Sequence, residues 1–319
     1  MHKFLRWYNQ NREIFFIGLA IIVFIFIIIQ VLNAIVGRRN EGIRNSLASE
    51  NSSTNSSTAI SEPSTSVITG ETMSAEETNT VTDVIRIFVE YCNNGDIENA
   101  YNMLTDECKT LIYPSIEQFT QNYYQRIFYM NRMYSLENWY TSGNLYIYYI
   151  KYTEDVLASG DLNSEDNKGD YITVVRTDNG YKLNISSYVG REIKNDRVST
   201  NGVIVLVNWI DMYMDYTIAN ISITNDTETN ICIDPREGNY TTYMYDGNNV
   251  KYNALLNENS EEQLMVRRGL TNTINIKFNK MYNPERELRG IIFSNVILNY
   301  DEYISGTNEK NSIVIELEI

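Results

Sequence analysis

Histidine and cysteine, the side chains that most often carry catalysis and metal binding, are scarce in this chain of 319 residues. The one histidine is His2. A Ser–His–Asp triad, a Cys–His pair or a histidine-liganded metal site therefore cannot form beyond the first residues of the chain. Aspartate and tyrosine are abundant, but their pattern singles out no acid–base pair. We predict no catalytic, cofactor-binding or metal-binding residue, and a protein that is not an enzyme.

An acidic stretch from Asp161 to Asp170 offers the oxygen ligands that calcium prefers. An EF-hand loop needs Gly at its sixth position and Glu at its twelfth. Those positions hold Asp166 and Ile172 here. The stretch is therefore predicted to be a solvated hairpin loop.

The three cysteines are Cys92, Cys108 and Cys232. Cys92 and Cys108 flank the turn of a predicted helical hairpin at Gly95. Their offset from that turn places them about 13 Å apart along the helices. A disulfide needs Cα atoms within about 7 Å, so all three cysteines are predicted to be free thiols.

Aromatic residues are dense between Tyr123 and Tyr152. Such a density could form a surface on which sugars or peptides stack. The alternative, which we favour, is a tyrosine-rich sheet core with hydroxyl groups at its rim.

The chain is strongly acidic, with 26 Lys and Arg, 41 Asp and Glu, and a net charge of -15. Phosphate binding needs a basic face, so no nucleic-acid partner is expected. Anionic wall polymers and lipid surfaces are disfavoured for the same reason. We expect a protein partner instead, with basic proteins or cations as the better electrostatic match.

The N-terminal region predicts a membrane anchor. Residues 14–36 form an apolar run that would span about 35 Å as a helix, enough for the hydrocarbon core of a bilayer. A cleaved signal peptide is the alternative, but its apolar run is shorter and ends in a small-x-small site. We therefore predict a cytoplasmic tail over residues 1–13 and a retained transmembrane helix over 14–36, which contacts the lipid bilayer.

The orientation of this helix does not follow from charge, because three Lys or Arg residues lie on each side of it. Residues 37–80 are rich in Ser and Thr. Of the 37 residues from Ser46 to Thr82, 18 are Ser or Thr. Such a segment buries too little apolar surface to fold, and it is predicted to be a disordered linker. This linker and the domains that follow favour an extracytoplasmic C-terminal part and a cytoplasmic N-terminus.

Residues 81–196 are predicted to form an α+β domain. Apolar residues recur at helical spacing after a candidate capping box at Thr80, and further helices follow near residues 97–104 and 116–127. Strand patterns then flank the turn Asp178-Asn179-Gly180, which is typical of a hairpin. Helices followed by a meander indicate this class.

Two segments of this region resemble nuclear transport factor 2-like, or cystatin-like, domains. They are NNGDIENAYNMLTDEC (93–108), which resembles the helical hairpin, and KGDYITVVRTDNGYKLNIS (168–186), which resembles the final hairpin. The resemblance implies a cone of three helices on a curved antiparallel sheet, with Tyr181 packed inward. This fold carries many unrelated functions, so it does not fix one here.

Residues 197–319 show short alternating strand patterns without a helical period, which is typical of a β-sandwich. Three segments resemble the immunoglobulin-like domains of membrane-anchored envelope proteins of low-GC Gram-positive bacteria. They are residues 218–234, 241–254 and 273–298. The resemblance implies an all-β immunoglobulin-like sandwich and no chemistry.

These features predict a non-enzymatic single-pass membrane protein with extracytoplasmic binding or scaffold domains at the cell envelope. One alternative is a subunit of a conjugation or secretion apparatus, since several of these combine a cytoplasmic tail, one membrane helix and a cone domain. The other is an enzyme that uses the cone, which would need a pocket with a buried, convergent Asp/Tyr pair.

Overall fold

The structure, a computed structural model, describes residues 64–154, 168–233 and 242–319. These residues belong to one compact unit, Ile60–Ile319. The predicted tail, the predicted transmembrane helix over 14–36 and most of the predicted linker lie outside the described residues, as does most of the acidic stretch. Within the described ranges, no helix has the length and apolar character needed to cross a membrane.

Antiparallel sheet dominates the described residues, with few helices. This confirms the all-β character expected of the C-terminal part. The helices of the N-terminal part are α1 (Ala75–Asn93), α2 (Ile97–Asn102), α3 (Asp106–Leu111), α4 (Ile116–Phe119) and α5 (Gln125–Ile127), with a π-helical turn, Thr120–Tyr124, between the last two. Two short helices lie among the later strands: α6 (Glu261–Leu264) and α7 (Tyr300–Ile304).

Helix α1 begins earlier than the apolar pattern predicts. Its N-cap is Ser74, whose side chain accepts a hydrogen bond from the backbone N–H of Glu77. Thr80 lies inside the helix, where its hydroxyl donates to the carbonyl of Glu76, so the predicted capping box is wrong. The helix ends as expected at Gly95, whose φ of +71° suits glycine.

Residues 64–74, which fall in the C-terminal end of the predicted linker, are held against the sheet that follows the helices. The backbone N–H of Val67 donates to the carbonyl of Asn138, and that of Ile68 donates to the carbonyl of Trp139. The Met73 side chain is 2% exposed. One buried methionine and a few backbone hydrogen bonds are therefore enough to order a segment whose composition resembles a flexible linker.

The first sheet is an antiparallel meander in the order β1-β2-β3-β4. Its strands are β1 (Arg132–Ser142), β2 (Leu145–Glu154), β3 (Lys168–Thr177) and β4 (Gly180–Asn184). The predicted hairpin is confirmed, because Thr177 pairs with Gly180 across the turn. One core lies between the helices and this sheet, and we call it the helix-side core. It includes Phe88, Phe119, Tyr123, Tyr152 and Leu183.

Two further antiparallel sheets enclose a second core, the two-sheet core. One sheet has the order β12-β7-β6-β5, and the other has the order β10-β9-β13-β8-β11, with β14 also paired to β13. Their strands are β5 (Tyr188–Thr200), β6 (Val203–Tyr213), β7 (Thr217–Asn225), β8 (Ile231–Ile233), β9 (Thr242–Asp246), β10 (Lys251–Asn253), β11 (Met265–Val266), β12 (Thr271–Phe278), β13 (Leu288–Ile297) and β14 (Ser312–Glu318).

Strand β5 joins the two cores and runs through residue 196, where one predicted domain ends and the next begins. Tyr188 at its start is buried in the helix-side core, whereas Val198 near its end packs on the two-sheet core. Between them, Val189 belongs to a small bridging cluster with Tyr140, Ile147 and Met214. The two halves are therefore connected by a continuous strand and by shared packing.

Candidate binding pocket

The loop between β12 and β13, residues 279–287, forms one wall of a pocket in the described part of the chain. Its turn is organised by Asn283, which precedes Pro284. The Asn283 side-chain oxygen accepts from the backbone N–H of Glu285 at 2.9 Å, and its carbonyl accepts from that of Arg286 at 3.1 Å. An Asn that bonds to its own following backbone in this way defines a tight turn.

The same loop is fastened to the β6–β7 region. The Thr217 hydroxyl donates to the carbonyl of Lys280 at 2.9 Å, and the Tyr282 backbone N–H donates to the carbonyl of Met214 at 3.2 Å. The Tyr282 ring packs edge-on to Tyr140 of the first sheet, with centroids 5.9 Å apart. The pocket wall is therefore fixed to both halves of the molecule.

The pocket has a volume of about 440 Å³, within the range of small-molecule sites. Because Leu145 of the first sheet lines it together with strands of the second half, we call it the junction pocket. Its apolar lining includes Leu145, Ile210, Met212, Leu288 and Ile319, and its charged lining comprises Glu192, Lys194, Lys280, Arg286, Glu287 and Arg289.

Two of the four cations in this lining are neutralised by neighbouring carboxylates. Lys194 pairs with Glu192 at 2.8 Å. Arg286 pairs with Asp246 at 3.2 Å. Lys280 and Arg289 have no ion-pair partner among the described residues. The junction pocket of this acidic protein therefore contains two positive charges that no described carboxylate pairs with.

Lys280 is the unusual residue of this set, because it is only 8% exposed. Its ammonium has no hydrogen-bond acceptor among the described residues, and it lies over the face of Tyr252, with 5.6 Å between the ammonium nitrogen and the ring centroid. Burial lowers the pKa of Lys280; Asp246 and Glu192 act against this shift, and Arg286 adds to it. A buried charge without a partner destabilises a fold, so it points to a role other than folding.

Asp246 fixes the position of one residue that lines the junction pocket. Its carboxylate accepts from the Tyr252 hydroxyl at 2.7 Å, from the backbone N–H groups of Asn248 and Val250 at 2.9 Å each, and from Arg286. Burial would raise the pKa of Asp246, but these hydrogen bonds outweigh it and bring the pKa down to about 2. The carboxylate therefore stays ionised and holds Arg286 at the pocket.

A second pocket, of about 400 Å³, lies on the helix side, where Tyr123, Arg126, Asp170 and Ser186 are among its lining residues. Burial raises the pKa of Asp170 to about 6, although backbone hydrogen bonds oppose the shift. Its two oxygens accept from the backbone N–H groups of Tyr171, Ser186 and Ser187.

This arrangement gives Asp170 a structural task. Ser186 and Ser187 both have a φ of 59°, a conformation that non-glycine residues rarely adopt. The Asp170 carboxylate holds this turn by binding both N–H groups. The tyrosine hydroxyls nearby bond elsewhere: Tyr113 to Ser186 at 2.5 Å, and Tyr123 to Tyr152 at 3.1 Å.

Other sequence predictions about reactive residues are resolved by burial. Cys92, Cys108 and Cys232 are buried thiols that form no disulfide with one another, as expected. The dense aromatics are mostly core, with Tyr146, Tyr148 and Tyr152 almost inaccessible, as preferred above. The prediction that their hydroxyls lie at the rim is wrong for Tyr123 and Tyr152, whose hydroxyls bond to each other inside the core. The junction pocket was not predicted from the sequence. A signal existed in KMYNPERELR (280–289), which holds three cations within ten residues of an acidic chain.

Comparisons with protein-family models, with curated proteins and with solved structures found no match to this chain.

Proposed function

We propose that the protein is a non-enzymatic, single-pass membrane protein whose folded part binds a partner or ligand on the extracytoplasmic side of the cell envelope. The junction pocket carries this proposal. It is a preformed cavity whose wall is fixed by hydrogen bonds, and it contains a buried ammonium without an ion-pair partner among the described residues. Preorganised walls reduce the entropy lost on binding, which suits a recognition site.

The proposed architecture is a nuclear transport factor 2-like cone followed by an immunoglobulin-like sandwich, after a transmembrane helix over residues 14–36 and a linker. Helices packed on a four-stranded meander support the cone. Two antiparallel sheets around one core support the sandwich. The apolar run of residues 14–36 supports the membrane anchor, and it would place the binding unit near the bilayer.

The alternative of a subunit in a conjugation or secretion apparatus uses the same architecture and also requires binding. The alternative of an enzyme in the cone would use the helix-side pocket. There the carboxylate of Asp170 is engaged by three backbone N–H groups, which favours a role in holding the turn.

Site-specific photo-crosslinking in intact cells tests this function. A crosslinking amino acid at Glu287, which is exposed and lines the junction pocket, is expected to capture a partner or a small-molecule adduct that mass spectrometry identifies. The matched control is Asp178, an exposed residue in the β3–β4 turn that does not line the pocket. Equal products from both positions, or none from Glu287, would refute binding at this site. Capture of conjugation or secretion subunits would select that alternative.

A further inference from the structure

The junction pocket combines positive charge with an apolar wall. Lys280 and Arg289 supply two cations without ion-pair partners among the described residues, and Lys280 is more than nine-tenths buried. Leu145, Ile210 and Met212 supply apolar surface in the same cavity. A ligand that matches both features has an anionic group and an apolar body.

We propose that the junction pocket binds a carboxylate carried on an apolar body, with the Lys280 ammonium as its central ion-pair partner and the exposed Arg289 guanidinium as the second. This inference rests on the proposed binding function and names the chemistry of the ligand. The free acid of an aliphatic chain and the C-terminus of a short peptide share this chemistry.

The charge balance of the pocket favours a single negative charge. Glu192 is already paired with Lys194, and Glu287 adds a further carboxylate to the lining. Counted over the described side chains alone, four cations lie against Glu192 and Glu287 of the lining and against Asp246, which leaves about one positive charge. A carboxylate supplies one negative charge, whereas a phosphate monoester supplies close to two at neutral pH.

The acidity of the whole chain does not prevent such binding. Charges separated by more than about 10 Å are largely screened in physiological salt, whereas buried pairs are screened much less. The ligand carboxylate would therefore respond mainly to the cations that line the pocket. Its ion pair with Lys280 would also offset the cost of burying that ammonium.

Ligand-observed NMR titrations of the full chain in a nonionic detergent test this chemistry. The probes are hexanoate and N-acetyl-alanyl-alanine, each compared with its neutral amide. We expect at least one acid to bind about tenfold more tightly than its amide, because truncating one partner of a buried ion pair typically costs more than 1.4 kcal/mol. Preference for hexanoate identifies the aliphatic source, and preference for the dipeptide identifies the peptide source.

Lys280→Met should abolish the difference between acid and amide, whereas Lys251→Met, the same charge change at an exposed position outside the pocket, should leave it unchanged. Arg289→Gln, at an exposed site where the fold is not at risk, should weaken the acid several-fold. Equal affinity of each acid and its amide, or an unchanged preference in both pocket variants, would overturn the carboxylate inference. Binding of the amides alone would overturn it while leaving the binding function intact, and crosslinking from Glu287 tests that function independently.

Discussion

At the scale of single residues, Lys280 shows how the proposed recognition site departs from what folding alone would select. Its ammonium is 8% exposed and has no acceptor in the described ranges, so it gives up hydration without gaining a hydrogen bond there. A methionine of similar length would fill the same space without that cost. Residues of this kind persist where they bind a ligand, and replacing them stabilises the fold.

The variant Lys280→Met should therefore be more stable than the wild type at pH 7, by about 1 kcal/mol. The groups that act on the Lys280 charge are Asp246, Glu192 and Arg286. The folded protein lowers the pKa of this lysine, so the penalty is complete below that lowered pKa. It fades as the pH rises toward the ordinary value of about 10.4.

Thermal unfolding of the two proteins at pH 7 and pH 10 measures this difference. The advantage of the variant should shrink at the higher pH, and Lys251→Met should show no comparable gain. A destabilised Lys280→Met protein would mean that the lysine holds the fold together.

We expect Asp246 to account for part of the stability that the protein loses in acid. Its pKa of about 2 lies below the unfolded value of about 3.9, so the stability it contributes is complete above pH 4. That contribution is lost as the pH falls from about 4 to about 2. Chemical denaturation across this range should show a shallower loss for Asp246→Asn, which starts from a lower stability at pH 7 because its hydrogen bonds to charged and backbone donors are weakened. An identical acid profile for both proteins would refute this role.

At the scale of elements, the pairing of β5 with β6 depends on an ion pair near the junction of the two halves. Arg191 and Asp211 are cross-strand partners, and two hydrogen bonds of 2.7 and 2.8 Å join them. Asp211 is 6% exposed, and the Arg191 guanidinium also covers the Trp209 ring.

Arg191→Met should cost about 3 kcal/mol, because it leaves the Asp211 carboxylate buried and unpaired. Adding Asp211→Leu should recover most of that loss, since an apolar pair removes the orphaned charge. Urea denaturation of the two single variants and the double variant measures the coupling. Losses that simply add in the double variant would contradict the proposed pair.

Strand β13 depends on a close approach that only glycine allows. A Cβ at Gly290 would lie 2.6 Å from the Leu317 carbonyl oxygen and 2.7 Å from the Tyr245 ring. Gly290→Ala should therefore destabilise the two-sheet part by about 1–3 kcal/mol. Gly190 in β5 has open space around the same position, so Gly190→Ala is the control and should be nearly neutral in the same denaturation assay. Equal effects of the two variants would contradict the crowding argument.

Local sequence patterns predict an element correctly where the pattern by itself determines the local structure. The Asn-Gly turn before Tyr181 fixes the β3–β4 hairpin, and alternation in the last strand correctly places Ile315 and Leu317 inside. Strand β5 was not predicted, because its charged residues interrupt the alternation of polar and apolar residues. Its pairing with β6 stabilises it, and that pairing is not visible in the local pattern. Tyr181 packs against the helix-side core on the same face as Leu183, as predicted, but it is only half-buried, and its hydroxyl accepts a hydrogen bond from Arg176.

The junction pocket could not be predicted from local patterns. It brings Leu145 beside Lys280, which lies 135 positions further along the chain, and only the packing of the two halves creates that proximity. The KMYNPERELR segment, residues 280–289, could be noticed as basic. Its position on a fixed loop, and the burial of one of its cations, are tertiary properties.

At the scale of the whole molecule, the two cores should unfold together. Strand β5 enters both, and the bridging cluster adds apolar contact between them. Calorimetry of the full chain should therefore show one cooperative transition for the folded part, with calorimetric and van't Hoff enthalpies in agreement. Two separated transitions would indicate independent domains divided near residue 196.

The central claim is that the folded part lies on the extracytoplasmic side of the membrane and binds a ligand in the junction pocket. A membrane-impermeant, amine-reactive reagent tests both parts in one measurement, by mass spectrometry of intact wall-stripped cells and of the purified full chain. We predict that the exposed Lys251 is labelled equally in both samples, whereas Lys280 is labelled less in cells, where its ligand is present. Lys251 labelled only in the purified protein, or Lys280 equally reactive in both samples, would contradict the account.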